Sequence, residues 1–159
     1  MRDLGWLALL SATSALAVTS SRGITEPSCV IRDYGVIQTS PSYVRRAESA
    51  TTSGVVRSYF DMKVVRTTRE IEAARGARFG VAHDFFNIPP LDNLEIVVTH
   101  PPMNRPDGQV RTGFKLPRSP NQTHSAYGLD HDYEVVRGEW KFEYFYKGRS
   151  LCSQSFVTR

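Results

Sequence analysis

The sequence predicts an all-β chain, an antiparallel β-sandwich of about seven strands. Three observations lead there. Several short segments alternate apolar and polar residues with period two, the spacing of a strand with one wet face. Gly, Pro, Asn, Asp and Ser punctuate the chain between them, and no amphipathic stretch is long enough for a stable helix.

The elements follow in order. "CVIRDYGVIQT" is rich in β-branched residues and predicts a first strand from about Cys29 to Thr39. "SPSYVRRAESATTSG" ends it with Pro41 and a Ser/Thr/Gly cluster. From Val55 the parity is clean: Val56, Phe60, Met62 and Val64 fall on one face, and Arg57, Tyr59, Asp61 and Lys63 on the other. "TTREIEAARG" is too short for an independent helix and reads as a strand end and connection. "GARFGVAHDFF" and "NLEIVVT", the latter from about Asn93 to His100, predict two further strands with the turn "NIPPLD" between them.

The stretch from His100 to His124 holds five prolines and predicts the longest irregular segment, where binding residues tend to be carried. Strand character returns at "YEVV" and runs, after Gly138, through "EWKFEYFY". There Trp140, Phe142, Tyr144 and Tyr146 share one face. That face predicts core rather than a sugar-stacking platform, with Tyr146 the one member placed to reach solvent.

The last strand, "RSLCSQSFV", leaves its register open. A two-residue Lys147-Gly148 turn sets Tyr144 opposite Leu151. A three-residue turn that adds Arg149 sets Tyr144 opposite Cys152 and Trp140 opposite Phe156. Leu151 and Phe156 differ in parity, so burying both requires a bulge, expected near Ser153.

Compartment is read from the two ends. Residues 1–17, an apolar run closing on Ala15-Leu16-Ala17, have the layout of a cleaved signal peptide, and the run is shorter than a bilayer span. Residues 18–28 then form a polar linker, and 29–159 a single sandwich domain without a stable membrane anchor. A periplasmic or secreted location follows. The two cysteines, Cys29 and Cys152, an even count in an exported chain, read as one structural disulfide.

Composition excludes more than it assigns. The net charge of +4 is mild, and the sixteen arginines are scattered almost singly, unlike a phosphate-tracking patch, so no nucleic-acid partner is expected. There is no GxSxG elbow, no CxxC motif and no recognisable carboxylate pair, and no cofactor is expected. The sharpest polar cluster is Asp130-His131-Asp132. In a strand its members point to opposite sides, but a turn would let them share a divalent ion with His83-Asp84 or His100. Capping of a solvated loop is the simpler reading.

"ARGARFGVAHDF", "VVTHPPMNRPDG" and "YEVVRGEWKFEYFYKGRSLCSQSFV" resemble, in order and spacing, the bacterial family catalogued as domain of unknown function 3859, from about Tyr34 to Val157. Gly138, Trp140, Phe142, Gly148, Leu151 and Phe156 carry its most specific part. The ending is also similar to the final hairpin of exported immunoglobulin-like domains. "IEAARG" departs where a proline after the isoleucine is expected. The resemblance implies an exported immunoglobulin-like β-sandwich and no activity. The expected function is a non-catalytic binding or envelope structural module whose partner is an envelope protein or ligand. The alternative is a small metal-assisted hydrolase built on Asp130, His131 and Asp132.

Overall fold

The computed structural model describes residues 25–159; the expected signal peptide and most of the expected linker lie outside them. Eleven strands follow in order: β1 (Ser28–Thr39), β2 (Tyr43–Ala47), β3 (Val55–Tyr59), β4 (Met62–Thr67), β5 (Glu70–Ile71), β6 (Arg78–Phe86), β7 (Leu94–Asn104), β8 (Val110–Arg118), β9 (His124–Gly128), β10 (Gly138–Tyr146) and β11 (Arg149–Thr158). One 3₁₀ turn, Asp132–Glu134, separates β9 from β10. One sheet has the order β4-β1-β6-β9 and the other β5-β11-β10-β7-β8, while β2 and β3 pair only with each other. Pairing is antiparallel throughout, except for two residues of β5 beside β11.

The two sheets meet through aromatic side chains. Phe79 of β6 packs its ring 5.0 Å from Trp140 and 5.2 Å from Phe156, and Phe142 lies 5.5 Å from Phe156. Trp140, Phe142, Tyr144 and Phe156 are all buried, as period two on β10 requires of one face of a central strand. Tyr146 is buried too, its hydroxyl donating to Asp92 Oδ2 at 2.5 Å, so the phenol's polar end is satisfied rather than exposed. Trp140 Nε1 donates to Thr158 Oγ1 at 3.2 Å across the β10–β11 pair.

Cys29 of β1 and Cys152 of β11 form a disulfide, with Cα atoms 5.7 Å apart, that ties one sheet to the other. The closing hairpin combines features of both registers read from the sequence. Its turn is the two-residue Lys147-Gly148, both at positive φ (48° and 79°), the twist that matches flanking strands. A bulge at Leu151 then shifts the pairing, so that Tyr144 opposes Cys152 and Trp140 opposes Phe156. The bulge therefore sits two residues before Ser153, at the point that lets Leu151 and Cys152 both turn partly inward.

Four further expectations need correction. The stretch from His100 to His124 is mostly strand: β7 runs on through Pro101 and Pro102 to Asn104, a turn follows, and β8 returns. The prolines are accommodated because register lapses between Thr99 and Met103, where no ladder donor is demanded. "SPSYVRRAESATTSG" is not only a break, since β2 forms within it and pairs with β3. The single strand read from Val55 is two, β3 and β4 in different sheets, and Phe60 between them is 76% exposed rather than core. "YEVV" is not a strand, because Glu134 closes the 3₁₀ turn. The linker's end is also fastened: Arg149 donates to Glu26 Oε2 at 2.8 Å and to the Pro27 carbonyl at 2.7 Å.

Candidate functional site

The β2–β3 hairpin is the one pair that belongs to neither main sheet, and it covers the gap between β8 and β9. These are the edge strands of the two sheets on the same side of the sandwich, with Phe114 of β8 and Tyr127 of β9 packed 5.9 Å apart. Three adjoining clefts run along the hairpin, of about 90, 330 and 370 Å³, and Arg118, the last residue of β8, lines all three.

The hairpin is anchored at its tip and along β3. Thr51 and Thr52 in the connecting turn are buried, and Thr52 Oγ1 lies 2.7 Å from His100 Nε2. His100 Nδ1 faces the Pro101 carbonyl at 2.8 Å. A carbonyl only accepts, so Nδ1 carries the proton, Nε2 accepts, and the Thr52 hydroxyl donates. Along β3, Arg57 pairs with Asp130, which also accepts from Arg78 Nη2 at 3.0 Å. The Arg78 guanidinium lies 5.5 Å over the Tyr59 ring, a second link between β6 and the hairpin.

Asp130, His131 and Asp132 do not converge. Asp130 is taken up by Arg57 and Arg78, His131 stacks on Tyr133 with ring centroids 5.3 Å apart, and Asp132 is exposed beside Arg75. The distant partners weighed with them are elsewhere: His83 is in the core, Asp84 pairs with Arg32 at 2.7 Å, and His100 holds Thr52. Among the described residues no group of three or more His, Cys, Asp or Glu side chains is placed to share a metal ion. The local organiser is Glu134, fully buried. Its Oε1 accepts from Tyr127 Oη at 2.6 Å, and its Oε2 from the backbone N–H groups of Asp130 and His131, both at 2.9 Å. Burial and the adjacent Glu134 carboxylate push the Tyr127 phenol's pKa up, keeping it a donor.

A second buried polar group lies behind the second cleft, which Ser125 lines. His83 Nε2 is 3.2 Å from Ser125 Oγ, both residues fully or nearly fully buried, and the His83 ring packs tilted against Tyr144, centroids 4.7 Å apart. Burial first, then the positive charge of Arg118, holds His83 down to about 3, so it is neutral at pH 7. Three buried polar atoms of this cluster have no hydrogen-bond partner among the described residues: His83 Nδ1, Tyr144 Oη and Arg118 Nε. Arg118 forms no ion pair among the described residues, and burial lowers its pKa.

The sequence did not single out Arg118, Arg57, Arg78 or Glu134. Each acquires its role from strands remote in the chain, and one arginine among sixteen scattered ones carries no local mark. For Ser125 and Tyr127 a signal existed, since "HSAYG" alternates and both are buried.

Comparison with known proteins places this architecture. No curated protein matches the chain. An immunoglobulin-like protein from Pseudomonas aeruginosa, known from its crystal structure, superposes with a TM-score of 0.64 at 24% identity, over 86% of this chain and 99% of that one. The likeness establishes an immunoglobulin-like fold. Residues 26–158 match the family described as a domain of unknown function, DUF3859, and the chain belongs to that family.

Proposed function

We propose that the protein is a non-catalytic binding module of the cell envelope, exported to the periplasm or secreted, whose contact surface is the β2–β3 hairpin and the clefts beneath it. The observation that carries this reading is a set of polar clefts lined by Arg46, Arg57, Arg78 and Arg118 beneath the hairpin. Ser125 and His83 are within hydrogen-bond reach, but among the described residues no carboxylate holds His83 Nδ1, and an imidazole held near 3 is a weak base at neutral pH. The inter-sheet disulfide supports an oxidising compartment. Tyr43, Val44 and Phe60 give the hairpin exposed apolar side chains beside its arginines, a composition suited to contact.

The test is site-specific photo-crosslinking in native cells. A crosslinker at Val44 or Phe60, which line the clefts, should give a discrete adduct that one at Val30 on the sheet does not. No discrete adduct, or the same adducts from all three positions, overturns the reading.

A further inference from the structure

The clefts under the hairpin have an unbalanced set of charges. Arg57, Arg78 and Arg118 contribute three guanidinium groups to the first cleft, whose one carboxylate, Asp130, is shared by two of them, and the second cleft adds one more carboxylate, Asp61, which pairs with none of the three. The third cleft adds Arg46, whose own partner is Glu48 at 3.6 Å. Arg118 is left over. It is half-buried, so it has given up part of its hydration; its Nε lacks a partner, as those of Arg78 and Arg105 do, but unlike them it has recovered no ion pair among the described residues. Partial burial of an uncompensated charge is unfavourable, and an anion seated beside it would supply the missing counter-charge.

The surroundings suit one kind of counter-charge. Ser58, Ser119 and Gln122 share clefts with Arg118 and offer hydroxyl and amide donors, while Val56 and Leu116 supply apolar wall. Behind them Tyr144 Oη, fully buried and without a partner, belongs to the Ser125 and Arg118 cluster. A planar guanidinium with hydroxyl donors beside it matches an oxyanion, which it can hold through two parallel N–H···O bonds.

We propose that Arg118 anchors a binding site for an oxyanion-bearing small molecule, a carboxylate or a phosphate, in the clefts between β8, β9 and the β2–β3 hairpin. The proposal rests on the binding-module reading and names the chemistry its surface takes. The anion lies against Arg118 at the end of β8, and the rest of the ligand extends along the groove toward Val44 and Arg46. The hairpin, held by Thr52 and Arg57, is its outer wall.

The experiment titrates the purified, disulfide-bonded protein with sodium acetate and, separately, inorganic phosphate at constant ionic strength in chloride, following amide and arginine Nε resonances. Saturable shifts at Arg118, Gln122 and Ser125 are expected, with at least a tenfold loss of affinity in Arg118→Gln and a smaller loss in Arg118→Lys. Tighter binding of acetate marks a carboxylate ligand, and tighter binding of phosphate a phosphoryl ligand; either supports the site. Shifts that do not saturate, or equal affinity in Arg118→Gln, overturn it. Should Arg118→Gln fail to fold, the wild-type protein provides the second measurement. Saturating probe should protect Arg118 from a dicarbonyl reagent at least fivefold relative to Arg111, and equal modification of both overturns the proposal. Saturable anion binding without a crosslinked adduct at Val44 or Phe60 would retain this site and reject only the macromolecular contact.

Discussion

Thr52 donates its hydroxyl hydrogen to His100 Nε2 across 2.7 Å, although 48 residues separate them and both are buried. This bond fixes the tip of a hairpin that belongs to neither main sheet to the irregular part of β7. Replacing Thr52 by Val preserves shape and leaves Nε2 without a donor, which costs about 1 to 2 kcal/mol. Urea unfolding should show that loss, and amide exchange in β2 and β3 should accelerate while β10 is unchanged. Unchanged exchange in the hairpin would show that the bond does not hold it.

Acid should weaken the fold through His83. Burial, then Arg118, His124 and Arg32 in turn, hold its folded pKa near 3, against an ordinary 6.5. The unfolded chain therefore binds the proton first as pH falls. The contribution to stability is whole above about 6.5 and declines as pH drops from there toward 3, by at most about 1.4 kcal/mol per pH unit. His100 and His124 are shifted in the same direction by burial, so they add to the slope. Between pH 7.5 and 5.0 the wild type should lose about 2 kcal/mol more than His83→Asn. Parallel pH profiles for the two proteins would rule His83 out as the source.

How far the sequence reveals this structure depends on whether an element's pattern is set locally. β10 is legible because aromatic residues recur on one face, and that face is what the core buries, whereas β1 and β6 are legible from their density of β-branched and aromatic residues. β2 is not legible, since all five of its residues are exposed and its pairing depends on β3 alone. "YEVV" misleads because its strand propensity is overridden by the Glu134 carboxylate, which grips two N–H groups and a phenol. The closing hairpin shows both limits at once: the turn residues specify the turn, yet a bulge one side chain long decides which face Cys152 takes. The arginine cleft is the least legible feature, because an absent partner is a property of the folded chain only.

Loss of the disulfide should be costly. The bridge closes a sequence separation of 123 residues, for which the chain-entropy account gives about 4 to 5 kcal/mol as an upper value. Cys29→Ala with Cys152→Ala should therefore lower the urea midpoint by the equivalent of about 2 to 4 kcal/mol. Adding reductant to the wild type should reproduce the shift, and adding it to the double variant should do nothing. A wild-type midpoint indifferent to reductant under denaturing conditions would contradict the bridge.

Glu134 is the residue on which the turn after β9 depends. Its carboxylate accepts three hydrogen bonds while fully buried, two of them from consecutive backbone N–H groups. Glu134→Gln keeps the size and one acceptor oxygen, which can stay on the two backbone N–H groups while the new amide NH2 donates to the Tyr127 hydroxyl oxygen, so what is lost is the charge that strengthens all three bonds. The lost charge costs about 1 to 2 kcal/mol, and Tyr127→Phe, which removes one donor, about 1. Because the two side chains share one bond, the double variant should be less destabilised than the sum of the singles by about 0.5 to 1.5 kcal/mol. Asp130 follows Glu134 on this account, since its backbone N–H is one of the gripped groups and its side chain holds Arg57. Glu134→Gln should therefore also loosen the hairpin, seen as faster exchange in β3; exchange confined to residues 130–136 would separate the turn from the hairpin and refute the coupling.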